Sequence, residues 1–155
     1  MRPARGPVFV LSGAGGRAEK RRETATVIGI WQAYADVYLV VAGVAMLAGF
    51  AVPLIVAPMA WARALRWEVP ESRQLATFLG RSVGVLLGVV GAFAIRVAGA
   101  PQARPFFFEL LIWLLVAMIA LHGYGAIRKA QPVTETAEIG LWAILLLVTL
   151  AFYPA

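Results

Sequence analysis

One segment, Leu79–Arg96, constrains the fold more than any other part of the chain. Its sequence, LGRSVGVLLGVVGAFAIR, places small residues four apart, and on a helix these form a narrow ridge at Gly80, Gly84, Gly88 and Ala92. Helices in lipid gain little from hiding apolar surface from each other, so close backbone contact over small residues is a main source of their association. The segment therefore predicts a membrane helix whose ridge packs against a neighbouring helix.

Composition places the whole chain in the same class. Hydrophobic residues make up 61% of the 155 residues, which exceeds the roughly 45–50% of soluble domains. The sequence has no cysteine and a single histidine, which excludes disulfides, thiolate metal sites and a multi-histidine metal site within one chain. We therefore expect an all-α integral membrane protein. The sequence indicates no catalytic residue and no metal ligand, so an enzyme is the less favoured class.

Four apolar stretches predict an antiparallel four-helix bundle over residues 27–155. The second, third and fourth spans are expected at residues 77–99, 106–127 and 136–153. The end of the first span is ambiguous because Pro53 and Pro58 disturb it. The favoured placement, Val37–Met59, leaves Asp36 at the lipid headgroups, whereas a span over Ile28–Val52 would bury Asp36 in the bilayer.

Residues 1–26 form a basic segment ahead of the first span. Six of the fourteen Lys and Arg residues lie there, and the positive-inside rule therefore favours a cytoplasmic N-terminus. Four spans then place both termini on the cytoplasmic side of the cell (inner) membrane. The basic cluster lacks interleaved aromatic residues, so we interpret it as a topology signal and expect no nucleic acid as a partner.

Six polar residues in the membrane region are predicted to form two layers, one on each side of the ridge. Because consecutive spans run in opposite directions, residues near their ends should meet at the same level. The inner layer would contain Asp36, Arg96 and Glu109, and the outer layer Arg81, His122 and Glu138.

Each layer favours a structural role. An ion pair of Arg96 with Glu109 would neutralise two charges that are costly in lipid and would fix the register of the second and third spans. A proton or ion path is the alternative for this pair. For His122 we expect a hydrogen-bonded histidine at a helix interface, and the alternatives are contact with a quinone or substrate and axial ligation of haem or chlorin.

Residues 40–127 resemble a known group of membrane proteins. PLIVAP at Pro53–Pro58, the connection through Trp67, and the LGRSVGVLLGVVGAFAIR segment with its following hairpin are similar to the DoxX-like group of small four-helix membrane proteins. The resemblance implies a four-helix membrane fold and, from some members of the group, an association with quinone-linked oxidoreductases. It implies no catalytic residues, and the basic N-terminal segment departs from the group.

These features favour two classes of function. The first is a non-catalytic accessory or scaffold subunit of a larger membrane complex, of a redox or energy-converting kind, with membrane lipids and other membrane subunits as partners. The second is the membrane subunit of a quinone-linked oxidoreductase, or a small transporter of lipid, protons or another solute. The sequence identifies no cofactor and leaves lipid, quinone or pigment at the helix surfaces open.

Overall fold

The described part of the chain is made of helices joined by turns and short connections, and it contains no strand. The structure is a computed structural model that describes residues 28–154, so the basic segment predicted over residues 1–26 lies outside the described residues. Four helices are long and apolar enough to cross a membrane, which confirms the prediction of an all-helical chain with four apolar helices. In order, the helices are α1 (Gln32–Val56), the short α2 (Pro58–Ala64), α3 (Gln74–Ala98), α4 (Arg104–Ile127, after a 3-10 turn at Pro101–Ala103) and α5 (Val133–Ala151).

Proline explains both the irregularity of α1 and its end, which falls between the two boundaries expected from the sequence. After a 3-10 turn, α1 is an α-helix over Ala35–Met46, a π-helix over Leu47–Ala51 and an α-helix over Val52–Val56. Pro53 has no N–H to donate to the carbonyl of Gly49 one turn earlier, and the π-helical turn lies where that hydrogen bond is missing. The chain breaks at Ala57 (φ −140°, ψ 58°), because the residue before Pro58 is disfavoured in the α conformation.

α1 and α3 approach each other closely, and glycines make this contact possible. A Cβ on Gly43 would lie 2.6 Å from the carbonyl oxygen of Gly91. Two turns later on α1, the carbonyl oxygen of Ala51 would lie 3.0 Å from a Cβ on Gly84 of α3. Going from Gly43 to Ala51 along α1, the contacted residue on α3 moves back from Gly91 to Gly84. The two helices therefore run in opposite directions, with their backbones nearly touching.

The small-residue ridge predicted on α3 contacts α1 along only part of its length. Gly80, Gly84 and Gly88 lie against α1 or α2, but Ala92 is exposed and Gly91 is buried instead. Residues four apart advance by about 40° around an α-helix, so three such steps turn the ridge by about 120°. A seven-residue step turns by only about 20°, which keeps Gly84 and Gly91 on the same face.

The pair α1–α3 meets the pair α4–α5 in an apolar cluster where α1 begins and α5 ends. We call this the aromatic end of the molecule. Tyr38 of α1 stacks on Phe152 with ring centroids 5.0 Å apart, and its ring centroid lies 5.6 Å from that of Phe108 in α4. The buried members are Ala35, Leu39, Ala94, Val97, Ala98, Phe107, Phe108 and Leu111.

A partly buried hydrogen bond also joins α1 to α5 at the aromatic end. The Tyr38 hydroxyl lies 2.6 Å from Oγ1 of Thr149, a side chain that is fully buried. Thr149 donates its own proton to the carbonyl oxygen of Leu145 at 2.7 Å. Tyr38 is therefore the donor in the contact between the two hydroxyls.

Candidate functional site

Polar side chains gather at the opposite end of the molecule, at the turn between α4 and α5. His122 lies near the end of α4, and Glu135 and Glu138 lie near the start of α5. The two glutamates are three residues apart and therefore share one face of their helix. One potential ligand atom from each of the three side chains lies within 4.8 Å of the others. We call these three residues the His–Glu cluster.

The histidine in this cluster is held in a single orientation. His122 is only 5% exposed, and its Nδ1 lies 2.8 Å from the carbonyl oxygen of Met118. A carbonyl oxygen only accepts, so Nδ1 carries a proton and donates it. Nε2 then lies 3.0 Å from Oε2 of Glu135 and 3.8 Å from Oε2 of Glu138. A favourable contact between Nε2 and the carboxylates therefore requires a proton or another cation.

The connection between α2 and α3 binds the start of α5. Trp67 donates from Nε1 to Oε1 of Glu135 at 2.8 Å, and the Thr134 hydroxyl donates to the carbonyl oxygen of Leu65 at 2.5 Å. Between these two contacts, Arg66 adopts a left-handed conformation with φ 65°. The free oxygen of Glu135 is thereby directed to the His–Glu cluster, since the other oxygen is already bonded.

Gln131 closes the turn between α4 and α5 beside the cluster. Its Nε2 donates to the carbonyl oxygen of His122 at 3.0 Å and to Oγ1 of Thr136 at 3.2 Å. A Cβ on Gly125 would overlap the Gln131 side chain. Glycine at position 125 therefore leaves room for the side chain that holds the backbone of His122.

Trp142 forms the apolar wall of the cluster. It lies one helical turn after Glu138, and its ring centroid is 5.8 Å from that of His122 and 6.2 Å from that of Phe50 in α1. Its indole Nε1 is buried and has no hydrogen-bond partner within residues 28–154. An indole N–H donates only, so this buried donor is left without an acceptor among the described residues.

Two of the three residues predicted for the outer polar layer lie together, and Glu135 takes the position expected for Arg81. His122 and Glu138 approach each other as expected, but Arg81 is not the third member. Its Nε donates to the carbonyl oxygen of Ile55 at 3.2 Å. Carbonyls in the last turn of a helix lack helical donors, so the end of α1 supplies an acceptor for Arg81. Glu135 completes the cluster in its place.

The inner layer does not assemble as predicted. Within residues 28–154, Arg96 and Glu109 form no ion pair. Arg96 of α3 and Glu109 of α4 are both exposed, so each lies on a face of its helix that the other described helices leave uncovered. Glu109 instead accepts a hydrogen bond from the Tyr153 hydroxyl at 3.3 Å. Asp36 accepts one from the N–H of Val37 at 2.8 Å, at the start of α1.

Sequence reasoning did not include Glu135 or Trp67 among the candidate site residues. A signal for Glu135 was present, because it precedes Glu138 by three residues at the start of an apolar helix. No local signal marks Trp67, because its contact with Glu135 joins residues that are 68 positions apart.

A second surface feature lies at the aromatic end. It is an open groove lined almost entirely by apolar and aromatic atoms, and Asp36 and Glu109 are not among its lining residues. The groove is lined by Trp31, Tyr34, Val37, Tyr38, Val41 and Phe152.

Comparison with known proteins identifies no relative for this chain. No protein-family model matches it, and no curated protein or solved structure matches it either. The class defined by the fold is that of an all-helical chain with four helices able to span a membrane. The cluster at the α4–α5 turn brings together one imidazole and two carboxylates, which can share protons or hold a cation.

Proposed function

We propose that the protein is a multi-pass membrane protein whose four long helices cross the bilayer as an antiparallel bundle, and that it serves as a non-catalytic subunit of a larger membrane complex. The length and apolar character of the four helices support the membrane assignment. The connections over residues 99–103 and 128–132 are short, and short connections join antiparallel neighbours.

Apolar surface beside the charged α4–α5 turn is the observation that carries the proposal. Ile127 and Val133 are 82% and 83% exposed, and Arg128 and Lys129 lie between them in the sequence. In a membrane, such a basic pair lies at the headgroup level. Acyl chains would then not cover these two apolar side chains, whereas a neighbouring protein would.

The free face of α5 supports the same role. In the most apolar 18-residue stretch of α5, only 6% of the residues are buried within the described chain. Leu141, Ile144 and Leu147 are exposed at helical spacing, and a Cβ on Gly140 would meet no atom within 4 Å. A small residue beside a row of large apolar ones suits close packing against another membrane helix.

The positive-inside rule supports the orientation. A cytoplasmic N-terminus, favoured by the six basic residues of the first 26, would place the aromatic end at the cytoplasmic side and the His–Glu cluster at the opposite side. Both termini would then lie in the cytoplasm, and the membrane would be the cell (inner) membrane.

A second candidate is a small-molecule role: the membrane subunit of a quinone-linked oxidoreductase, or a transporter of lipid, protons or another small solute. The resemblance to the DoxX-like group supports it, and so does the groove at the aromatic end, because flat apolar rings and acyl chains suit a surface of aromatic side chains.

Native mass analysis in mild detergent separates the two candidates. We expect the protein to be extracted with other polypeptides at fixed stoichiometry. Replacing both Ile127→Ser and Val133→Ser should release these partners, whereas the control Leu86→Ser, at an exposed position in the middle of α3, should retain them. A chain extracted alone with bound lipid or quinone would favour the second candidate, and a bare homo-oligomer would remove the support for an accessory subunit.

A further inference from the structure

We propose that the His–Glu cluster is a binding site for one divalent transition-metal cation of the Zn²⁺ type. The ligands are Nε2 of His122 and one carboxylate oxygen each from Glu135 and Glu138. These three donors come from two helices and converge within 4.8 Å. The inference concerns this site alone and does not depend on the proposed role as a complex subunit.

The distances between the donors fit one small cation. Zn²⁺ binds imidazole nitrogen and carboxylate oxygen at about 2.0–2.2 Å, so two ligands of a tetrahedral site lie about 3.3–3.6 Å apart. Nε2 of His122 lies 3.0 Å from Oε2 of Glu135 and 3.8 Å from Oε2 of Glu138. These two separations lie on either side of the tetrahedral value, and the two carboxylate oxygens lie within 4.8 Å of each other. Side-chain rotations would therefore bring all three atoms into coordination.

The partners behind the ligands are those of a metal site. A ligating histidine generally donates its other ring N–H to a backbone carbonyl or carboxylate, and ligating carboxylates are in turn hydrogen-bonded. His122 donates from Nδ1 to the carbonyl oxygen of Met118 at 2.8 Å. Trp67 donates to the Oε1 atom of Glu135 at 2.8 Å. These contacts leave Nε2 of His122 and Oε2 of Glu135 directed to the centre of the cluster.

Charge balance points to a divalent ion. The side chains of Glu135 and Glu138 are only 12% and 20% exposed, and two carboxylates facing an imidazole lone pair repel one another at short range. One divalent cation neutralises both carboxylates while His122 stays neutral. Without it, the same balance needs two protons, one of them between His122 and Glu135.

The donor set also selects among cations. Mg²⁺ and Ca²⁺ prefer sites made only of oxygen, whereas imidazole nitrogen suits zinc and its neighbours in the first transition row. Three protein ligands leave a fourth position for water. Zn²⁺ is therefore the appropriate probe and Mg²⁺ the matched control.

Because the chain contains a single histidine, one measurement reads the site directly. In the tag-free full chain, labelled with ¹⁵N and stripped with a chelator, added Zn²⁺ should shift the Nε2 resonance at one equivalent and leave the Nδ1 proton in place. Mg²⁺ at the same concentration should leave both resonances unchanged. An imidazole that stays protonated on both nitrogens and ignores Zn²⁺ would show a proton-sharing pair and overturn the proposal.

Variants assign the ligands. Glu138→Gln keeps the size of the side chain, and it should weaken Zn²⁺ binding at least about 100-fold, since even partners behind the ligands contribute 10–100-fold. Trp67→Phe should weaken it by about 10-fold. Glu109→Gln, which changes a carboxylate at the aromatic end, should have no effect. Equal affinity of the wild type and Glu138→Gln would contradict the assignment, and thermal melting of each variant without metal identifies any that is unfolded.

Discussion

Gly43→Ala is expected to destabilise the contact between α1 and α3. The added methyl group would lie 2.6 Å from the carbonyl oxygen of Gly91 and 2.7 Å from the Ile95 side chain. Ile95 could rotate, but the Gly91 carbonyl belongs to the helix backbone, so α1 and α3 must move apart. Overpacking of a well-packed contact costs about 1–3 kcal/mol, and we expect the upper part of that range because backbone must move.

Gly49→Ala is the matched control, since Gly49 lies on the same helix and a Cβ there would meet no atom within 4 Å. Alanine is favoured over glycine inside a helix by about 0.5–1 kcal/mol, so this variant should be as stable as the wild type or slightly more. Both substitutions add one methyl group, and detergent-induced unfolding compares them. Equal stability of the two variants would show that the backbones of α1 and α3 are not in close contact at Gly43.

Phe108→Ala is expected to destabilise the packing of the pair α1–α3 against the pair α4–α5 at the aromatic end. The Phe108 side chain is fully buried. Its ring centroid lies 5.6 Å from that of Tyr38 in α1 and 6.0 Å, edge-on, from that of Tyr153 after α5. Truncating a buried phenylalanine typically costs about 3–5 kcal/mol. We expect a loss near the lower value, because surrounding lipid reduces the contribution from apolar transfer.

Phe106→Ala provides the control two residues earlier. Phe106 is 72% exposed on the same helix. Its replacement by alanine therefore changes helix propensity by the same amount as Phe108→Ala but opens no cavity. Substitutions at such exposed positions usually change stability by less than about 0.5 kcal/mol. Similar melting temperatures for the two variants would contradict this packing at the aromatic end, whereas a large difference would support it.

The number and the approximate position of the long helices could be predicted because uninterrupted apolar stretches allow few alternatives. The end of α1 could not be predicted, because Pro53 and Pro58 each offer a place for the helix to stop. The chain passes Pro53 by widening to a π-helix and stops at Ala57. Which proline a helix passes depends on how its neighbours pack, and the local sequence does not contain that information.

The candidate site shows a similar division between what sequence can and cannot predict. Turn lengths fix the level of a residue along the bundle, which is why His122 and Glu138 were expected together. The direction that a side chain takes around its helix depends on packing. Arg96 and Glu109 were expected as a pair from their level alone, yet both lie on exposed faces. The drift of the small-residue ridge away from Ala92 has the same geometric origin.

The central claim is that four helices cross the membrane in alternating directions, and labelling of single cysteines tests it most directly. The chain has no cysteine of its own, so each substitution gives one labelling site. Glu71→Cys, Gln102→Cys and Ala130→Cys lie at exposed positions in the three connections between the long helices. In intact cells, a membrane-impermeant maleimide should label positions 71 and 130, and position 102 only after permeabilisation. Labelling of all three positions from the same side would contradict the four-span arrangement.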